Sequence, residues 1–509
     1  MKTKYITVLA LGLMMGASSC TDLLEQSDPN AVTVDNYFRT ENDIQLAVNG
    51  IYQSLRSSDA VGENSALYTD DRSDDTGTND NQSNAGEPFQ FNNFALLPSN
   101  PWLKNHWVAL YQSITRCNIV LSNIDKVTFA DESNKAKLAA EAKFIRAFIY
   151  FQLVRKWGDV PLVTRQLVTT DEITAFTARV KKELVYDQIV ADLKDVVNAP
   201  LANLQTGANV GRISKAAGNA LLGQVYLTMA TTLDATGKAA NLNNAKTYLE
   251  ASYALKNFGA LKEIPYADVF DVTKKSTCPE LILQIVNKQG DLNYSSSIAA
   301  NSQAKGETIN SLKPSTGSGT IVTHDLVFDY ETGDLRKDFS IKFANDPTVQ
   351  DWFITKFRDP STVAGVNGYG GNDWILIRYA DVILMLAEVN MYLGNDESAI
   401  AYLNMVRERA KMPLYAVSKA NPDYAAKYPT LKLAILHERR VELAFEHHRW
   451  FDLLRTFTTD ELISYFHAKK QADFGNAKLT NFTKKDRYYP IPFDENKLDP
   501  AKMYQNEGY

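Results

Sequence analysis

Apolar residues recur along most of this chain with the spacing of helices. Residues 41–55, ENDIQLAVNGIYQSL, put Ile44, Ala47, Val48, Ile51 and Leu55 on one face, which predicts an amphipathic helix. Residues 101–124 predict a second, with Trp107, Leu110, Tyr111, Ile114 and Val120 inward. The segment EAKFIRAFIYFQLVRKWGDVPLV is apolar nearly all round, the mark of a buried helix. Gly158 suits the left-handed residue that closes such a helix, and Pro161 prevents its continuation. Residues 181–197 form another amphipathic segment.

Two stretches read as helix-pair repeats. In SKAAGNALLGQVYLTMA, Leu222, Gly223 and Tyr226 fit the core of a tetratricopeptide first helix, with Ala245 and Leu249 as contacts of the second. In DVILMLAEVNMYLGNDESAIAYLNMVRERA, Leu386 and Ala387 are followed by Ala399 and Leu403 at the same kind of spacing. Together they predict a degenerate helical-repeat scaffold. Residues 261–374 break the pattern: ELILQIVN alternates and predicts a strand, and the rest is rich in Gly, Ser, Thr and Asn. Beyond Trp374, ILIRYADVILM reads as a buried helix and LKLAILHERRVELAFEHHRWFDLLRT as another, before a Pro-rich, extended tail. Residues 59–87 hold eight acids and one base, Arg72, and predict a solvated loop.

Composition narrows the function. With 45% hydrophobic residues among 509, a large core is available. The net charge is −6, or −8 without residues 1–19, which carry two lysines and no acid. That excludes the basic footprint of a nucleic-acid binder. Lys2 and Lys4, an apolar run over residues 6–15 and small residues 16–19 make a secretory leader. The small residues run straight into Cys20, as in a bacterial lipobox, although Ala17 stands where Leu is commoner. The expectation is an acylated Cys20 as the new N-terminus, each buried CH₂ contributing about 0.8 kcal/mol to anchoring. The plain alternative is a cleaved leader and an incidental thiol. Cys117 and Cys278 can pair in an exported protein, but Cys117 lies in an apolar helix and reads as a small core residue.

The segment ending in Trp157-Gly158-Asp159-Val160-Pro161-Leu162 resembles the most recognisable motif of the SusD/RagB family, the nutrient-binding outer-membrane lipoproteins of Bacteroidetes. RISKAAGNALLGQVYL, IRYADVILMLAEVN, HERRVELAFEHHRWFDLLR and YYPIPFDENKLDP with YQNEGY follow in the family's order. The resemblance runs from Cys20 to Tyr509 and is weakest over residues 261–374. It implies a mainly α fold: tetratricopeptide-like helix pairs, with irregular loops and a few short strands carrying the ligand face. Behind the leader, residues 1–19, it implies a single SusD-like domain over residues 20–509. Its parts are a helical section, 20–260, with the acidic loop 59–87, then a variable section, 261–374, and C-terminal helices and tail, 375–509. It further implies a cell-surface, outer-membrane lipoprotein that captures glycans for a SusC-like TonB-dependent transporter. The RagB branch of the family handles peptides, so peptide capture is the alternative; a glycoside-active enzyme is the reading from another class.

No enzyme signature emerges from the residues. HERRVELAFEHHRW is not H-E-x-x-H, and its acids and arginines fit i,i+3 and i,i+4 ion pairs along a helix face. Val366 to Gly371 lacks the strand-turn-helix context of a phosphate loop. No cofactor is expected. DDRSDDTGTNDN offers oxygen ligands for calcium but fails the EF-hand spacing. Sugar binding calls for aromatic faces with amides, carboxylates or arginine around them. Trp102 and Asn105 share one face of a helix's first turn, and the resemblance supports that pair, since the family's starch-binding member has a tryptophan and an asparagine three apart there. Arg72 and Asp71 offer a donor and an acceptor, and Tyr294 and Trp352 complete a candidate aromatic cradle. The alternative for each aromatic is that it packs its loop down. An acidic rim is expected to disfavour polyanionic glycans.

Overall fold

The computed structural model describes residues 37–509 apart from 79–86, 234, 292, 303–319, 345–346, 348–349, 366–369 and 475–478. The leader, Cys20 and residues 366–369 of the glycine-rich stretch lie outside the described residues.

Helices form where the apolar period predicts them. α1 (Glu41–Leu55) buries Ile44, Val48, Ile51 and Leu55, and Thr40 and Asp43 close its start as a reciprocal capping box. α2 (Pro101–Asn123) packs on α3 (Glu132–Trp157), and α3 on α4 (Lys182–Asn198). α3 stops at Trp157 because Gly158 turns to φ +73°, a region that costs glycine nothing. The repeat-like stretches are two helix pairs. α5 (Lys215–Thr232) packs on α6 (Lys238–Ala254), and α7 (Tyr379–Tyr392) on α8 (Asp396–Arg409). A Cβ on Gly223 would stand 2.6 Å from Leu249 Cγ, so α5 and α6 approach only because that side chain is missing. α6 also packs on α7, which joins the pairs. One hydrophobic cluster extends from Ile44 to Met503. Cys117 and Cys278 are both free and buried, and burial pushes their thiols up to about 12 and about 11.

The strands form four two-stranded antiparallel ladders among the described residues. β1 (Thr76–Thr78) pairs with β5 (Thr320–Val322), and β2 (Val160–Pro161) with β3 (Arg179–Val180). β4 (Leu281–Ile285), the strand that ELILQIVN predicts, pairs with β8 (Trp374–Arg378), and β6 (Ile341–Phe343) with β7 (Trp352–Ile354). β8 corrects the expectation of a helix through ILIR. The β-branched Ile375 and Ile377 suit a strand, β4 offers an edge, and the helix starts only at Tyr379, whose N–H donates to Glu280 O at 2.9 Å.

The acidic loop is a larger correction. Residues 68–77 are buried. Arg449 chelates Asp74 through Nε and Nη2 at 2.7 and 2.8 Å, and Arg440 Nε donates to Asp75 at 2.6 Å. These arginines belong to HERRVELAFEHHR, whose charges were expected to pair along their own helix. That helix, α9 (Leu431–Glu442), instead breaks, and α10 (Arg449–Thr456) follows a turn in which Phe445 and His447 take φ +66°. Its acids reach other segments. Glu438 accepts from Arg336 and Arg407, Glu442 from Arg378 and Arg409, and Glu446 from Arg378 and Lys356. Lys356 and Arg378 also donate to Ala444 O and Glu442 O, carbonyls near the break in the helix. A buried charge persists only with such partners, so burial of either sign demanded the other.

Burial alone would raise the pKa of Glu442, but Arg409, Arg378 and Arg336 outweigh it and hold the carboxyl well below its usual range. Glu446 is brought down to about 2 in the same way by Arg378 and Lys356. Their stabilisation is therefore complete above the ordinary glutamate pKa and is lost as pH falls toward 2. Circular dichroism should show acid unfolding that begins below about pH 5. Glu442→Gln should lower stability by about 3–5 kcal/mol in urea titrations, because it strands buried guanidinium charge.

Candidate ligand-binding site

Two clefts adjoin at the end of α1. The first has a volume of about 430 Å³ and is polar, lined by Gln53, Ser57, Ser58 and Glu63, by Gln112 and Arg116 of α2, and by Asn287, Asn293 and Ser295. The second, of about 340 Å³, runs between Tyr52, Phe144, Phe148, Val286, Leu376 and Tyr294. Arg56, the residue after α1, lines both. Its guanidinium lies 5.5 Å over the Tyr294 ring and donates through Nη1 to Val286 O at 2.6 Å and Asn287 Oδ1 at 2.7 Å.

The loops that border these clefts are pinned from beneath. Burial, then the neighbouring Lys156, pushes the His106 pKa well below its usual range, so the ring is neutral. Lys156 Nζ donates to His106 Nε2 at 2.8 Å, which leaves Nδ1–H to donate to Asp59 O at 2.5 Å. Tyr68 OH donates to Asp59 Oδ1 at 2.7 Å and lies 3.3 Å from Trp102 O. On the other side Lys275 Nζ donates to Asn287 O, to Gly371 O and to Asp373, the last two at 2.8 Å. A third and smaller cavity, of about 70 Å³, touches Lys156, Glu446 and His447.

The predicted site residues fare differently. Trp102 is half-buried against the main core and Asn105 is exposed, both at the head of α2. They begin a stripe that continues at helical spacing through Ala109, Gln112 and Arg116, which line the polar cleft. Tyr294 is 49% exposed and lines the apolar cleft. Trp352 stands apart from this constellation. Its ring packs edge-on against Phe343 at 5.5 Å beneath Lys337, in the β6–β7 hairpin, and lines neither cleft.

Arg72 and Asp71 are corrections. Arg72 has 0% exposure: its guanidinium is enclosed by Phe94, Trp450 and Tyr489 at 4.7–5.2 Å and donates to Asp486 O. Asp71 is buried and accepts from Thr76 Oγ1 at 2.8 Å. Neither faces a cleft, because their loop is drawn into the core by the arginines of α9 and α10. The same burial removes Asp70, Asp71, Asp74 and Asp75 from the expected acidic rim and commits oxygens of Asp74 and Asp75 to guanidinium groups rather than to calcium. Among the described residues no cluster of His, Cys, Asp or Glu is arranged to hold a metal. Arg56, Arg116 and Asn293 were not singled out from the sequence. Extending the Trp102–Asn105 stripe down α2 leads to Gln112 and Arg116, whereas Arg56 carries no local signal.

Comparison with known proteins decides the family. A model described as "SusD family" matches residues 339–509, and one described as "Starch-binding associating with outer membrane" matches residues 22–227. The chain belongs to the SusD/RagB family. This SusD-like chain is 27% identical to SusD-like protein P2 of Formosa agariphila, with 100% of both chains covered. It is 25% identical to a SusD-like protein of Bacteroides ovatus, covering 92% of this chain and 85% of that one. A solved laminarin-binding SusD-like protein superposes with a TM-score of 0.73 at 25% identity, over 93% of this chain and 100% of that one. A SusD-like protein of Bacteroides fragilis gives 0.76 at 20% identity, over 93% and 98%.

Asp71 supplies a test of the buried loop. Burial raises its carboxyl to about 7, partly opposed by the Thr76 hydroxyl. A raised folded pKa means stability that is present below the unfolded pKa of 3.8 and lost as pH rises through about 7. Asp71→Asn should therefore raise the melting temperature at pH 8 and leave it little changed at pH 4; an exposed Asp71 would show no difference.

Proposed function

We propose that this protein is a lipid-anchored, cell-surface glycan-binding protein of the outer membrane that passes its ligand to a SusC-like TonB-dependent transporter. The observation that carries the glycan reading is the polar cleft. Amides, hydroxyls and guanidinium groups converge there, the Tyr294 ring stands at its shoulder, and the Trp102–Asn105 stripe leads away from it. Hydroxyl-rich ligands need this mixture of stacking faces and fixed polar groups. The starch-binding description of the family model and the laminarin-binding neighbour support the reading. The outer-membrane wording of that description supports the location, with Cys20 as the anchor. Among the described residues no helix is long and apolar enough to cross a membrane. The leader would be residues 1–19 and a single SusD-like domain would follow.

The protein captures rather than cleaves. The lining of the polar cleft offers a single carboxylate, Glu63, among the described residues, where glycoside hydrolysis uses a pair. Capture raises the ligand concentration at the transporter's mouth.

Native gels cast with a panel of polysaccharides test this directly. At least one glycan should retard the protein. Trp102→Ala and Tyr294→Ala should each weaken retardation by about fivefold to a hundredfold, the range for a lost stacking or hot-spot contact of about 1–3 kcal/mol. Retention of full affinity by both variants would remove these rings from the site. Binding of peptides in place of every glycan would replace the ligand class.

A further inference from the structure

Several buried arginines in this protein hold a carboxylate with one edge of the guanidinium. Arg146 holds Asp192 through Nε and Nη2 at 2.8 and 2.7 Å. Arg449 holds Asp74 at 2.7 and 2.8 Å, and Arg455 holds Glu388 at 2.9 and 2.7 Å, through the same two nitrogens. That edge matches the spacing of a carboxylate. Arg56, which lines the polar cleft, holds no carboxylate on that edge. Among the described residues its Nε, shielded from water, has no hydrogen-bond partner and its Nη2 reaches only Asn293 O, at 3.5 Å.

Three acids lie around Arg56 and attract its charge without forming an ion pair with it, and Asp373 keeps Oδ2 without a hydrogen-bond partner among the described residues. Asp373 accepts from Lys275 at 2.8 Å, Asp291 from Lys288 at 3.1 Å, and Glu63 from the Ser297 N–H at 2.9 Å. Arg56 has no ion-pair partner among the described residues, and neither has Arg116, exposed on α2 across the polar cleft. Against these two cations the lining offers one carboxylate, Glu63. An unpaired guanidinium donor in a half-closed cleft is poorly satisfied until an anion arrives.

We infer that the polar cleft selects acidic glycans, with a uronic-acid carboxylate taken by Arg56 and Arg116. This rests on the glycan-binding reading above and narrows it to a substrate class. It also reverses the expectation that an acidic rim disfavours polyanions, because Asp70, Asp74 and Asp75 of the acidic loop are buried against His447, Arg449 and Arg440 and the polar cleft's lining carries Arg56 and Arg116 against Glu63. Carboxylate is favoured over other anions because it is the group that Arg146, Arg449 and Arg455 hold in this way.

Calorimetry on the intact protein tests the inference. The probes are uronate oligosaccharides (galacturonate, glucuronate and mannuronate–guluronate series) and the same oligosaccharides after carboxyl reduction. At least one uronate series should bind about tenfold or more tightly than its reduced counterpart. That preference should shrink as salt is raised. Arg56→Gln and Arg116→Gln should each diminish it and the double variant abolish it, while Arg56→Lys keeps part of it. Arg116→Gln, at an exposed position, keeps the test valid should Arg56→Gln fail to fold. Equal binding of acidic and reduced forms, or a preference that survives in the double variant, overturns the acid selectivity and leaves glycan capture standing. Binding of a neutral glucan with no uronate bound does the same. Binding of acidic peptides alone, or of no saccharide at all, overturns the glycan reading as well.

Discussion

The ion pairs that radiate from HERRVELAFEHHR hold together parts of the chain that are far apart in sequence. Asp74 meets Arg449, Glu280 meets Arg378 and Arg409, and Asp334 joins Arg336 beside Glu438. Charges taken out of water are costly, and such a cluster is tolerable only when every member keeps its partners. The constraint is mutual: the acidic loop cannot be buried without α9 and α10, and the break between those helices lets Glu446 reach Lys356 and Arg378. Hydrophobic packing builds the helix pairs, and the ion cluster fixes how the irregular segments lie against them.

That arrangement positions the clefts. Lys275 ties residue 287 to residues 371 and 373, and the Lys156–His106 pair holds the loop after α1 at Asp59. The tail acts on the same frame. Trp157 donates its indole N–H to Pro490 O at 2.9 Å, and Asn506 donates to Trp157 O at 3.0 Å, so the WGDVP turn and the final residues close on each other. Ligand groups thus stand on loops, but on loops whose backbone carbonyls are held by Lys275 and His106. This favours a site formed before the ligand arrives.

Much of this was legible in the sequence where the signal is local. The extent of α1, the C-terminal end of α3, the strand β4 and the role of Gly158 follow from periodicity and capping within a dozen or so residues, whereas α3 begins at Glu132, nine residues before the apolar segment that marks it. Gly223 was legible as a repeat residue, and its contact with Leu249 gives the reason. The failures share a different cause. Asp74 and Arg449 are 375 residues apart, and a run of acids looks solvated when its partners lie in another part of the chain. Arg72 looked like a free donor among acids, yet aromatic rings from residues 94, 450 and 489 enclose it. Residues 375–378 looked helical because apolar content alone does not separate a short buried strand from a helix. The stripe from Trp102 to Arg116 was half read, since its lower part gains meaning only when the loop at 287–295 faces it.

Hydrogen–deuterium exchange with and without a bound oligosaccharide tests the central claim, that pinned loops around Arg56 form the capture site. The account predicts new protection confined to residues 56–65, to the exposed face of α2 and to residues 286–297, with the ion cluster around α9 already protected in the free protein. Protection centred on the β6–β7 hairpin, or a cluster that becomes protected only on binding, would contradict it.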